Sequence, residues 1–179
     1  MEITHRELEL LNFYRASELH GGLVLGQLVR RARDADLILL LTRHSAEEIV
    51  HAELWTETIV AVGGAPFATR DTYQRRYAAA LRPPSTLFEV LALTQVFERR
   101  VYRHFVEHLR RPGTHPRVQR TLARMLEEEK GHLSWVRRWL EAQARTRPDM
   151  VRTTLRRYAR VDAAVYAALT ERYGWRRAA

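Results

Sequence analysis

Residues 37–55 read LILLLTRHSAEEIVHAELW, and residues 118–136 read VQRTLARMLEEEKGHLSWV. In both, apolar side chains recur every three or four positions, the repeat of a helix with one buried face, and neither alternates as a strand would. The inward row of the first stretch is Leu37, Leu41, His44, Glu48, His51 and Trp55, continuing to Val62; that of the second is Val118, Leu122, Met125, Glu129, His132, Val136 and Trp139. Carboxylates and imidazoles stand where leucines belong. Two further rows are interrupted in the same way: Leu8, Leu11, Tyr14, Glu18, Gly22, Leu25, Val29, and Leu91, Thr94, Glu98, Val101, Phe105. Each long helix therefore points one glutamate inward. An unpaired buried carboxylate costs several kcal/mol even after relaxation, so four at one depth require positive partners. Two divalent cations would neutralise them.

Working outward, Thr4 with Glu7 reads as a capping box opening a first helix that runs to about Arg33. The second helix follows Asp36 and runs to about Val62, where Gly63-Gly64-Ala65-Pro66 stops it. A connection with a short helical piece near Thr72–Leu81 leads to Pro83-Pro84. The third helix opens there, with Thr86 and Glu89 as a second capping box, and ends at Arg111-Pro112-Gly113. A fourth runs from about Pro116 to Ala144, and a fifth from Pro148-Asp149 to about Tyr173. The expected class is all-α: two antiparallel helical hairpins joined by a long crossover, a four-helix bundle over residues 1–144, with a basic helical segment over 145–179. The stripe Val151, Leu155, Tyr158, Val165, Leu169 suits docking of that segment on the bundle or on a second subunit.

Composition narrows the function. The 179 residues hold no cysteine, which excludes disulfides, thiolate nucleophiles and Cys-ligated metals. Any metal must be held by oxygen and imidazole nitrogen. A mean hydropathy of -0.39 and the absence of a long apolar run point to a water-soluble chain with no membrane span. Met1-Glu2-Ile3-Thr4 lacks a secretory pattern, so the expected location is cytoplasmic. The net charge is +9, but residues 145–179 carry nine arginines against three acids, so most of it belongs to that segment. Its arginines, interleaved with Tyr158, Tyr166, Tyr173 and Trp175, suit a solvated amphipathic helix better than a nucleic-acid surface.

Depth supports one site. Glu98 lies 14 residues before Pro112 and Glu129 lies 14 after His115, so both are ~21 Å from their shared turn. Glu48-x-x-His51 and Glu129-x-x-His132 each set a carboxylate and an imidazole on one helix face. Such a motif alone is weak, and Glu2-x-x-His5 reads as a chance occurrence. The combination is specific: each motif is preceded by a lone inward glutamate, at intervals of 30 (Glu18 to Glu48) and 31 (Glu98 to Glu129) residues. The chain reads as one metal-binding hairpin repeated.

This set, Glu18, Glu48-x-x-His51, Glu98, Glu129-x-x-His132, resembles the ferritin-like di-iron carboxylate superfamily, which includes bacterioferritins, rubrerythrins and di-iron oxygenases. The resemblance covers about residues 5–144. It implies a ferritin-like bundle binding two iron ions, or manganese, or a mixed pair, with Glu48 and Glu129 bridging, Glu18 and Glu98 terminal, and His51 and His132 on one metal each. The same six residues would then be the catalytic set of an oxidoreductase that uses dioxygen or peroxide, an external electron donor and an unidentified small-molecule substrate. A ferroxidase or iron-handling protein is the second reading; an RNA-associated hydroxylase or a non-catalytic binding protein is the third. Ile49 stands where the resemblance would place a haem-ligating methionine, so no haem is expected, and Val101 stands where a rubrerythrin would have a further glutamate. A homodimer remains open. So do His44 (second ligand shell or plain core), Tyr14 and Tyr102 (donors or packing), and Gly21-Gly22 (cavity or close helix approach).

Overall fold

A computed structural model describes residues 3–173. Met1 and Glu2, and with them the Glu2-x-x-His5 motif and part of the amino-terminal reading, lie outside the described residues, as does Trp175. Among the described residues there are six helices and no strand: α1 (His5–Val29), α2 (Ala35–Ala61), α3 (Tyr73–Ala80), α4 (Leu87–Leu109), α5 (Pro116–Ala144) and α6 (Pro148–Tyr173). None of them is long and apolar enough to cross a membrane.

Most boundaries follow local chemistry. Thr4, Asp34, Thr72 and Thr86 each accept an amide of the first turn that follows, and Thr86 with Glu89 forms the full reciprocal capping box. Thr4 caps α1 through the Glu7 amide, while the Glu7 carboxylate lies 3.5 Å from His108 Nε2. Helix α1 ends at Val29 rather than near Arg33, because residues 30–33 form the turn that lets Asp34 cap α2. Gly63 and Gly113 close α2 and α4 with φ of 80° and 82°, a region a side chain would strain.

Helices α1 and α2 pack as one hairpin and α4 and α5 as another. Tyr14 of α1 meets His104 and His108 near the end of α4, while Arg31, just past α1, donates to the Ser85 carbonyl just before α4. Thus α1 and α4 are antiparallel, and α2 runs the same way as α4. A connection between two parallel helices must travel the length of the bundle, which is why residues 62–86 are long. They run along α1: Asn12 Oδ1 accepts the Phe67 amide, Ser17 Oγ accepts the Tyr73 amide, and Gln74 Nε2 donates to the Ser17 carbonyl.

Helix α6 packs against α3, α4 and α5 of the same chain. Val151, Tyr158, Val165, Leu169 and Tyr173 are buried, whereas Leu155 is half-buried. Asp162 is buried too; it takes three hydrogen bonds from Arg100, the shortest 2.6 Å, and one from the Tyr77 hydroxyl.

The core falls into two apolar regions. Leu11, Tyr14, Trp55, Phe105, Leu122 and Met125 belong to one, and Leu25, Leu41, Leu91, Trp135 and Val136 to the other. On each of α1, α2, α4 and α5, the inward glutamate lies between residues of the first region and residues of the second. The polar residues form a layer across the middle of the core.

Candidate metal centre

The layer is dry. Glu18, His44, Glu48, His51, Glu98, Glu129 and His132 are all buried, none more than 5% exposed. Glu48, His51, Glu129 and His132 each place a ligand-type atom within 4.8 Å of the others; His44, Glu48, Glu98 and His132 do the same. The two groups share Glu48 and His132. His132 Nδ1 lies 3.1 Å from Glu129 Oε2 and 3.2 Å from Glu48 Oε1. His51 Nδ1 lies 3.3 Å from Glu129 Oε1 and 4.0 Å from Glu18 Oε2. Glu18 falls outside both groups of four but lies close enough to Glu48 for that charge to raise its pKa. All six residues singled out in the sequence therefore meet.

His44 joins them: its Nε2 is 3.0 Å from Glu48 Oε1 and 3.6 Å from Glu98 Oε1, and its ring lies 3.7 Å from that of His132. Tyr14 lies to one side, hydrogen-bonded to His104 Nε2 (3.1 Å) and His108 Nδ1 (3.2 Å). Tyr102 is half-buried and lines a separate groove between α4, α5 and α6. The two glycines divide the roles considered for them. A methyl group at Gly22 would sit 2.8 Å from Ile49 Cδ1 and 3.0 Å from the Ser45 carbonyl, so this glycine serves close packing of α1 on α2. Gly21 lines a cavity, and a methyl there would sit 3.3 Å from Glu48 Oε2.

Two acids emerge only from the structure. Glu47 Oε2 is 2.9 Å from His132 Nε2, and Glu128 Oε2 is 2.9 Å from His51 Nε2. The pairing is crossed: each motif's preceding glutamate holds the histidine of the other motif. A carboxylate at Nε2 fixes the proton there and leaves Nδ1, the nitrogen facing the interior, with its lone pair free to ligate. The sequence signal was the glutamate doublet in Glu47-Glu48-x-x-His51 and Glu128-Glu129-x-x-His132.

Without a cation, protons balance the charge. Burial pushes the Glu18 carboxyl well above its ordinary range, helped by the charge of Glu48; burial likewise pushes Glu98 up to about 8, helped by Glu129. Burial acts the same way on Glu48 and Glu129 but is overcome. His132, His44 and Glu18 hydrogen-bond to Glu48 and hold it well below the ordinary value; His132 and His51 bring Glu129 to about 2. Burial opposes charge on the imidazoles, yet the carboxylates raise His51, lift His44 to about 9 and lift His132 to about 12. Two carboxylates are thus held ionised and two protonated, while His44 and His132 hold an extra proton each.

The donor set fits a metal pair. His51 Nδ1 and Glu129 Oε1 are buried without a hydrogen-bond partner although they face each other, as is His44 Nδ1. Imidazole with carboxylate oxygen and no sulfur suits a divalent transition metal. Donor atoms buried at one level and oriented from behind by acids suit a cation once their protons leave. No family model, no curated protein and no solved structure matches this chain.

Proposed function

We propose that the protein is a ferritin-like four-helix-bundle oxidoreductase that holds two iron ions, or manganese in place of one or both. Glu48, His51, Glu129 and His132 would supply one part of the ligand set, and Glu98 and Glu18 would complete it. His44, against both Glu48 and Glu98, would position those two carboxylates. The observation that carries the reading is the pair of overlapping donor groups with both ligand histidines tied back through Nε2. When bound, such a pair supplies the two-electron chemistry by which dioxygen or peroxide oxidises a substrate. The chain's own contribution is to exclude water, to hold four carboxylates at one depth and to carry, until metal binds, the protons that binding displaces. A cavity reaching Glu98 from the surface favours oxidation of an organic molecule over iron storage.

Elemental analysis of the purified protein beside a Glu129→Ala, His132→Ala variant tests this. Iron or manganese should be present in the parent and absent from the variant, with helical content retained in both. Equal trace metal in the two preparations would refute it.

A further inference from the structure

A groove of about 600 Å³ runs between α4, α5 and α6 and shares no residue with the metal layer. Its unopposed charge is concentrated at one end. Glu98 and Glu129 stand at one level of the bundle, so Arg99 and Lys130, which follow them on two antiparallel helices, lie within ~3 Å of one level along its axis. Both line the groove, and so does Tyr102, the third residue beyond Arg99 on α4. Among the described residues Arg99 has no ion pair or hydrogen bond. Lys130 is tied only to Glu127, in a pair with both side chains more than half exposed, which water and salt screen. The other charged lining residues, Arg137 and Glu141, begin seven residues farther along α5 and lie 3.7 Å from each other, so their charges offset.

Between those ends Leu133, Val151 and Leu155 give the groove apolar walls, and one buried polar side chain breaks them. Gln95, one turn before Arg99 on α4, is 7% exposed, and its Oε1 is buried without a donor. An amide oxygen withdrawn from water and left unpaired is costly to keep. We propose that the groove binds a nucleoside phosphate, its phosphate at Arg99 and Lys130 and its base against Gln95. A side-chain amide sets an acceptor beside a donor, which complements the edge of a nucleobase, where N–H groups stand next to ring nitrogens or carbonyls. The leucines and Val151 offer apolar surface to the faces of a planar ring, and the volume is that of a small-molecule site. At the phosphate, Arg99 can give two parallel N–H bonds and Lys130 a point charge. Charge fixes the orientation, since the end where Glu141 offsets Arg137 has no net attraction for an anion. An aliphatic anion would match the cations and the apolar walls but bring no donor to Gln95; a bare phosphate would leave both the walls and Gln95 unused. The inference is independent of the metal-centre reading.

Calorimetric titration of the full chain with AMP, GMP, adenosine and ribose 5-phosphate, in the presence of chelator, tests this. AMP or GMP should bind about tenfold or more tightly than adenosine, which lacks the phosphate, and than ribose 5-phosphate, which lacks the base. Arg99→Glu should weaken nucleotide binding about tenfold or more and leave adenosine unchanged, whereas Gln95→Leu, a change of similar size, should weaken nucleotide and adenosine alike and leave ribose 5-phosphate unchanged. Arg99 is exposed, so its reversal spares the fold and decides the matter should Gln95→Leu unfold the chain. Absence of nucleotide binding, ribose 5-phosphate binding as tight as AMP and GMP, or nucleotide binding indifferent to either substitution in a folded variant overturns the proposal. Nucleotide binding that appears only when manganese replaces the chelator would place the phosphate on the metal, and overturns it too.

Discussion

Replacing Glu98 by glutamine should have opposite effects with and without metal, because the two states use this carboxyl differently. In the metal-free protein Glu98 is 3% exposed, and burial together with Glu129 raises its pKa from an ordinary 4.5 to about 8. A carboxyl with a raised pKa keeps its proton in the folded state after the unfolded chain has released it. Stability is therefore unaffected below about pH 4.5, falls as pH rises from there to about 8, and then levels off. At ~1.4 kcal/mol per tenfold, the loss is roughly 3 kcal/mol at pH 7 and roughly 5 kcal/mol above pH 8. Glutamine keeps the shape and cannot ionise. The metal-free Glu98→Gln variant should thus match the parent near pH 4.5 and exceed it by roughly 3 to 5 kcal/mol between about pH 7 and 9. With manganese added the order should reverse, since the parent gains a charged ligand that the variant lacks. Urea unfolding followed by circular dichroism, at about pH 5, 7 and 9 with chelator or with manganese, measures both arms. A metal-free variant whose advantage does not grow with pH would show that Glu98 is not held protonated among carboxylates, and the electrostatic account of the layer would fail.

Glu47→Gln or Glu128→Gln should weaken metal binding about 10- to 100-fold in competition with a chromophoric chelator, because each removes the group that orients a ligand histidine, while leaving the metal-free fold intact. Glycine-to-alanine changes should differ in sign by position. Gly22→Ala should cost about 1–3 kcal/mol by forcing α1 from α2, whereas Gly131→Ala, exposed within α5 and with nothing within 4 Å, should gain about 0.5–1 kcal/mol in thermal unfolding. Asp162→Ala should destabilise by about 3 kcal/mol and loosen α6, since it leaves the Arg100 guanidinium and the Tyr77 hydroxyl without their shared acceptor. Faster hydrogen exchange in α6 than in α1 or α2 would register the loosening.

The four inward glutamates and two histidines were legible because each sits on an apolar row of period 3.6, where a polar side chain stands out against leucines. Glu47 and Glu128 were not, for a geometric reason. Each lies one residue off its row, about 100° around the helix, where an isolated helix would present it to water. Only when α2 packs against α5 does that flank of one helix reach the histidine of the other, and crossed pairing between hairpins is a property of two elements together. Asp162 was hidden in the same way: among the arginines of α6 it reads as surface charge, yet Arg100 and Tyr77 draw it inward. The sequence left two places for α6, and the stripe from Val151 to Leu169 suits either. Its docking on α3, α4 and α5 follows from contacts such as Arg100 over the Tyr166 ring at 4.1 Å, which no periodicity encodes.

The crossed pairing also bears on how the layer assembles. Were each hairpin self-sufficient, Glu47 would hold His51 and Glu128 would hold His132; instead His51 depends on α5 and His132 on α2. In a lone hairpin, Nε2 of its histidine would lack the carboxylate that fixes its proton, and nothing would leave Nδ1 ready to ligate. The two halves of the repeat therefore build one site between them, and only once both are folded. In the metal-free protein the joined layer is held by protons on Glu18, Glu98, His44 and His132. Protons can occupy those positions in any order as the bundle closes, whereas a metal ion needs several donors already in place. A layer that neutralises itself with protons can fold before it binds metal, so under the proposed metal centre the affinity for manganese, measured by titration at about pH 6, 7 and 8, should rise with pH as those protons become easier to displace; an affinity that does not rise would refute this account.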